Sequence, residues 1–144
     1  MARVSTYLNF TNQTEETFHF YQEVFGTQLV GKVARFGDIP PAEGMPPLAE
    51  EDKQLVMHIE LPILGGHVLM GTDAPASMGF VVHQGNATHI NLEPDTLEEA
   101  KRLFDALSQG GKVDMPLQKM FWGDHYASFT DRFGVNWMIN CAAA

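Results

Sequence analysis

The chain has 144 residues, enough for one domain or for two half-domains sharing a core, and its 44% hydrophobic and 19% charged residues are ordinary for a folded protein. A net charge of −9 and a pI near 4.9 argue against nucleic acid and against an anionic membrane surface, since both select a basic footprint. No apolar run approaches the ~20 residues of a membrane span, and with Cys141 as the single cysteine no intrachain disulfide or multi-thiolate metal site can form.

The pattern from Val4 to Phe10 alternates, with Thr6, Leu8 and Phe10 on one side and Ser5, Tyr7 and Asn9 on the other, which predicts a half-buried strand. Asn12 followed by Glu15 resembles a capping box, Phe18, Tyr21 and Phe25 form a helical stripe, and Gly26 supplies a stop. Gln28 to Phe36 reads as a strand ending at Gly37-Asp38. Ile39 to Asp52, with Pro40, Pro41, Gly44, Pro46 and Pro47, reads as a long irregular connection of the kind that covers sites. Leu55 to Leu61 and Gly66 to Met70 pair as strands turned at Pro62 to Gly65. Thr72 to Gln84 reads as a linker, with Phe80-Val81-Val82 as a candidate short strand.

Ala87 to Leu92 then predicts a strand, and Thr96 with Glu99 a capping box. Leu97, Ala100, Leu103, Phe104 and Leu107 give a helical apolar face that Gly110-Gly111 ends. Three strands follow, around Lys112 to Gln118, Tyr126 to Thr130 and Val135 to Asn140, the last two joined by the turn Asp131-Arg132-Phe133-Gly134.

The two halves repeat one another 82 positions apart without a gap: Leu8-Asn9-Phe10 returns as Ile90-Asn91-Leu92, and Phe18, Tyr21 and Phe25 return as Ala100, Leu103 and Leu107. Each half is strand, helix, then three strands. The expected class is α+β, with two tandem βαβββ modules forming a curved mixed sheet around a cavity and the helices on the convex side. Leu8, Phe10, Ile90, Leu92, Trp137 and Ile139 should point towards the helices. The expected organisation is one domain over 1–144, with module one about 4–73, a linker 74–85 and module two about 86–141.

These units resemble the vicinal oxygen chelate superfamily of glyoxalase I, extradiol dioxygenases and bleomycin-resistance proteins. The wording is similar to its PhnB-like branch in Tyr7-Leu8-Asn9-Phe10, Phe20-Tyr21-Gln22-Glu23-Val24-Phe25-Gly26 and Leu69-Met70-Gly71-Thr72-Asp73. The second half carries the likeness in Gly110-Gly111-Lys112-Val113, Met115-Pro116-Leu117-Gln118, Phe121-Trp122-Gly123 and the stretch from Asp131 to Asn140. A methyltransferase activity, also ascribed to that branch, finds no Gly-rich strand-to-helix nucleotide loop here.

The resemblance implies a divalent metal held by four ligands, one from the first and one from the last strand of each module. Those places fall on Ser5, on Leu69 or Met70, on His89 and on Met138. Only His89 is a credible donor, because thioether sulfur suits softer ions. The expectation is therefore no metal cofactor, with a displaced site open only if His58, Glu60, His67 and His89 converge. His19, His83 and His125 are assigned to the solvated helix side, the linker and a hairpin loop.

Strand parity offers Tyr7, Asn9, His89, Asn91, Trp122, Met138 and Asn140 as ligand-binding residues, with Phe121 near the mouth and Asn136 on the last strand. Asn9 and Asn91, being equivalent, could instead satisfy backbone groups where the modules meet. His89, His58 and Glu60 are the catalytic candidates, His58 and Glu60 as an acid–base pair. The leading functional reading is metal-independent binding of a small organic molecule in the cavity between the modules. The alternatives are a metal-dependent or His-based enzyme acting on a small oxygenated substrate, and an orphan scaffold whose main property is dimerisation. The expected setting is the reduced cytoplasm, since Met1-Ala2-Arg3-Val4 opens without a signal-peptide core and only one cysteine is present. Asn9, Asn12 and Asn86 accordingly match the glycosylation pattern by chance. A homodimer, its modules paired within or across chains, is what the resemblance implies.

Overall fold

The computed structural model describes residues 1–40, 44 and 47–142. They fall into two units, Met1–Val82 and His83–Ala144. The first holds β1 (Thr6–Phe10), α1 (Thr14–Phe25), β2 (Ala34–Arg35), β3 (Val56–Pro62) and β4 (Val68–Asp73), and the second holds β5 (Ile90–Leu92), α2 (Leu97–Ser108), β6 (Lys112–Lys119), β7 (His125–Thr130) and β8 (Asn136–Cys141). Each unit is a βαβββ module with one helix and one four-stranded mixed sheet, in the orders β1-β4-β3-β2 and β5-β8-β7-β6. In each the first strand runs parallel to the last, and the remaining pairings are antiparallel. The α+β class and the duplicated plan are those expected from the repeat.

Helix α1 packs on β3 and β4; its Phe18, Tyr21 and Val24 are buried, and so are Phe10, Ile59, Leu61 and Leu69 on the strands. Gly71 makes that approach possible: a Cβ there would stand 2.6 Å from Phe18 Cε1. In the second unit Ala100, Leu103 and Leu107 of α2 are buried, as are Trp137, Ile139, Ala127 and Phe129, and Phe104 meets Phe129 edge-on at 5.5 Å. Phe10, Leu92, Trp137 and Ile139 are thus buried on the helix side as expected, while Leu8 and Ile90 are half-buried.

Several local readings are corrected. Gln28 to Phe36 is not a continuous strand. Gly31 takes a left-handed φ of 67° that breaks the extension, ladder pairing is confined to Ala34–Arg35 beside a lone Val30 N–H bond to the Glu60 carbonyl at 3.0 Å, and Phe36–Asp38 forms a short 3-10 turn. Asn12, itself at φ 61°, does not cap α1. The N-cap is Gln13, which makes no side-chain cap bond, and the Thr14 N–H donates instead to Asp73 Oδ1 at 3.1 Å. In α2 the Thr96 hydroxyl does accept from the Glu99 N–H at 3.1 Å, but both Glu99 carboxylate oxygens accept from Arg102, so the capping box is only half made. The strand expected over Ala87 to Leu92 begins at Ile90, and Phe80-Val81-Val82 is irregular. His125 opens β7 rather than a hairpin loop. Pro41 and Pro46 of the Pro-rich connection lie outside the described residues, and its far end, Glu50–Gln54, is a 3-10 turn.

Glu15, freed from capping, binds Arg35 in a two-pronged pair, with Arg35 Nη2 at 2.6 Å and Nη1 at 3.1 Å. Arg35 Nη1 also donates to the Gln54 carbonyl, tying α1 to the approach to β3. The hydrogen bond from Arg35 holds the Glu15 carboxyl below its usual range, with burial opposing it. A lowered folded pKa means stability present at neutral pH and lost as pH falls through that folded value. Glu15 is 40% exposed, so Glu15→Gln should cost only about 0.5–1 kcal/mol at neutral pH. Urea unfolding of parent and variant should converge below about pH 4.

Candidate functional site

On the face of the first sheet away from α1, strand alternation sets out Tyr7 and Asn9 on β1 with Ser5 just before it, Met70 on β4, and His58 and Glu60 on β3. Since β4 lies between β1 and β3, the register places Tyr7, Met70 and Glu60 in one row across three strands. Tyr7 reaches across β4 so that its hydroxyl lies 3.2 Å from His58 Nδ1, with the two rings 5.9 Å apart and tilted by 41°. His58 Nε2 lies 2.9 Å from Glu60 Oε1. A carboxylate only accepts, so in the neutral ring the His58 proton sits on Nε2 and is donated to Glu60, which leaves Nδ1 as the acceptor for the Tyr7 O–H. Burial, aided by the Glu60 charge, raises the Tyr7 phenol above its usual value and keeps it protonated at neutral pH.

The family positions for metal ligands have a different chemistry. Ser5 Oγ donates to Met70 Sδ at 3.7 Å, so two of those places engage each other, and Leu69 is fully buried. His67 is bonded to the Thr6 hydroxyl at 2.8 Å and does not join His58 and Glu60. Among the described residues no group of three or more His, Cys, Asp or Glu is placed to hold a metal ion. A hydroxyl, two thioethers and His89 do not make the donor set of a harder divalent ion, so the residues present do not fit the metal of glyoxalase-type chemistry.

In the second unit, Asn91, Met138 and Ser128 form one row across β5, β8 and β7, and Asn140 pairs with Tyr126 in a neighbouring row. His89 precedes β5 with the parity of Asn91. Trp122 stands edge-on to Tyr126 at 6.2 Å and Phe121 edge-on to Trp122 at 4.9 Å. Trp122 is 49% exposed and Phe121 more so. Asn140 Oδ1 is buried and has no hydrogen-bond partner, and the same is true of His125 Nδ1. Asn136, by contrast, is consumed structurally: its Oδ1 accepts from Thr130, and its Nδ2 donates to the carbonyls of Gly85 and Thr88, pinning the approach to β5.

The structure thus joins Tyr7, His58 and Glu60, and separately sets Trp122 and Asn140 around Tyr126. Asn9 and Asn91 are exposed, and neither amide meets a backbone partner among the described residues. Tyr126 and Ser128 share these rows and are candidate residues that sequence reasoning misses. Their alternation within Tyr126 to Thr130 was the available signal.

Comparison with known proteins agrees with this architecture. The chain is 32% identical over 142 residues to Protein YjdN of Escherichia coli (strain K12), covering 95% of this chain and 93% of that one. The crystal structure of protein PA1353 from Pseudomonas aeruginosa matches over the full length of both chains, with a TM-score of 0.83 and 35% identity. The PhnB protein from Bacillus cereus matches over 98% of this chain and all of its own, with a TM-score of 0.74 and 25% identity. The family model of the Glyoxalase/Bleomycin resistance protein/Dioxygenase superfamily matches residues 3–139, nearly the whole chain, and the protein therefore belongs to that superfamily.

Proposed function

We propose that the chain binds a small, partly polar organic molecule on the sheet faces away from its helices, without a metal at the family's ligand positions. Asn140 carries the reading: a buried carbonyl oxygen with no partner, beside Tyr126 and the half-exposed Trp122, asks for a ligand N–H or O–H next to an aromatic surface. The hydroxyl-to-thioether contact of Ser5 with Met70 supports the metal-free part. The exposed Tyr7, Asn9, Asn91 and Phe121 fit recognition of a mixed apolar and polar molecule.

Thermal unfolding against a library of small aromatic compounds bearing N–H or O–H donors should find members that stabilise the parent protein. A compound at a hundredfold excess over its Kd adds about 2.7 kcal/mol. Trp122→Ala should weaken such compounds by roughly tenfold, the loss of one aromatic contact. No stabilisation across the library would refute binding. One tightly held equivalent of a transition metal per chain, found by elemental analysis of protein purified without chelator, would refute metal independence.

We further propose a homodimer and a cytoplasmic location, resting on the family resemblance and the single cysteine respectively. Sedimentation at micromolar concentration should give a species of twice 16.0 kDa. No helix among the described residues is long and apolar enough to cross a membrane.

A further inference from the structure

We propose that Tyr7, His58 and Glu60 form a proton relay that takes up the proton of a small neutral organic acid bound on the first sheet's face away from α1. The inference rests on the binding reading and adds a chemistry to it. Three side chains from two strands are joined end to end, 3.2 Å from Tyr7 Oη to His58 Nδ1 and 2.9 Å from His58 Nε2 to Glu60 Oε1. A phenol, an imidazole and a carboxylate in series give each contact one donor and one acceptor. The direction of that chain matters. The Tyr7 O–H is turned inward to His58, so the remaining lone pairs of Tyr7 Oη are the acceptor presented outward, and Tyr7 is 48% exposed.

A ligand X–H that donates to Tyr7 Oη completes the line. When the X–H bond breaks, its electron pair stays on X, its proton joins Tyr7 Oη, and the original phenolic proton moves to His58 Nδ1. The products are X⁻, a phenol re-formed with its O–H aimed at X⁻, and an imidazolium held between Tyr7 and the Glu60 carboxylate. One proton has moved from ligand to imidazole and total charge is unchanged. Tyr7 touches the reacting atom; His58 stores the proton; Glu60 positions the ring and its tautomer, the division of labour of a hydrogen-bonded base whose orientation is fixed by a carboxylate.

The charge of this face selects the class of acid. The face carries Tyr7 and Asn9 from β1 with Ser5 just ahead of that strand, Val68, Met70 and Thr72 from β4, and from β2 Ala34, the register partner of His58. His58 and Glu60 on β3 are the remaining titratable groups with this parity. Among the described strand residues that share this parity there is no lysine or arginine, and with a chain charge of −9 a preformed anion is disfavoured here. A neutral molecule is not, provided that its C–H or O–H is acidified by an adjacent carbonyl, nitro or imine group. The negative charge it acquires is then offset by the imidazolium.

Two measurements on the full chain test the relay. Nitrogen-15 NMR of histidine-labelled protein at neutral pH should show His58 protonated on Nε2, with its Nδ1 resonance displaced by Tyr7→Phe. A ring protonated on Nδ1 instead would overturn the proposal, because Nδ1 could not then receive the phenolic proton. Nitrobenzisoxazole supplies the functional probe. Loss of its ring C–H proton to a base turns the C–H electron pair into the nitrile bond and breaks the N–O bond, releasing a coloured cyano-nitrophenolate. The parent protein should accelerate this opening. Tyr7→Phe and His58→Gln should each lower kcat by about a hundredfold with KM little changed, the range of a lost general base, and Glu60→Gln should lower kcat by less. A parent rate no greater than that of Tyr7→Phe would overturn the relay. If compounds still stabilise the protein thermally in that case, binding survives and only the proton chemistry falls.

Discussion

Replacing Asp73 with alanine is expected to destabilise the protein by about 3–5 kcal/mol, the cost of leaving three buried donors without the charged acceptor they share. Asp73 is only 4% exposed and stands at the end of β4. Its Oδ1 accepts from the Thr14 N–H at 3.1 Å and the Thr14 hydroxyl at 2.7 Å, and its Oδ2 accepts from the Val56 N–H at 2.8 Å. One carboxylate therefore caps α1, adds negative charge where the helix dipole favours it, and fixes the first residue of β3. Alanine leaves two buried amide donors and a buried hydroxyl without their acceptor. Asparagine should cost less, about 2–3 kcal/mol, since its carbonyl can still serve Thr14 while its NH2 meets the Val56 N–H donor to donor. Both values are read from the urea midpoint at unchanged slope. An alanine loss below about 1 kcal/mol would show that water or Gln13 replaces the cap without difficulty.

The same carboxylate shows where sequence reading stops. The periodicity of α1 and α2 and the alternation of β1 and β8 are local, and they foretold those elements and the duplicated plan. The cap of α1 is not local: Asp73 is 59 positions from Thr14, so an Asn12-to-Glu15 spacing that looks like a capping box was misleading. The strand expected after α1 failed for a similar reason, because β propensity around Val30 and Val33 is overridden by the left-handed Gly31. At the candidate site, parity put Tyr7 among the ligand-binding residues and set His58 and Glu60 together on a separate strand. Their contact depends on β4 lying between β1 and β3, a strand order that only the assembled sheet supplies. Parity also offered Asn136 and Asn140 equally. Three hydrogen bonds occupy the first, while the second keeps a buried carbonyl unpaired.

The second unit has its own buried carboxylate, and Asp131→Ala is expected to cost a similar amount, about 3–5 kcal/mol, again by leaving three buried donors without their charged acceptor. Asp131 is 3% exposed and opens the turn before β8. Its Oδ1 accepts from the Phe133 N–H at 2.9 Å and the Val135 N–H at 3.0 Å, the pattern by which aspartate nucleates a turn. Its Oδ2 accepts from the indole N–H of Trp137 at 2.9 Å, and Trp137 is fully buried. The turn and the core are thus joined through a single side chain, and a mutant cycle separates the two roles. In the parent, Asp131→Asn keeps a carbonyl for the turn but sets an NH2 against the indole N–H. In a Trp137→Phe background that donor is gone, so the same substitution should cost less by about 1–3 kcal/mol. Trp137→Phe alone should cost about 2 kcal/mol, from lost packing and an Oδ2 left without the indole donor. If Asp131→Asn costs the same in both backgrounds, the indole bond contributes nothing and the carboxylate serves the turn alone. A smaller cost in the Trp137→Phe background would instead mean that β8 is held in register by the core tryptophan as well as by its strand neighbours.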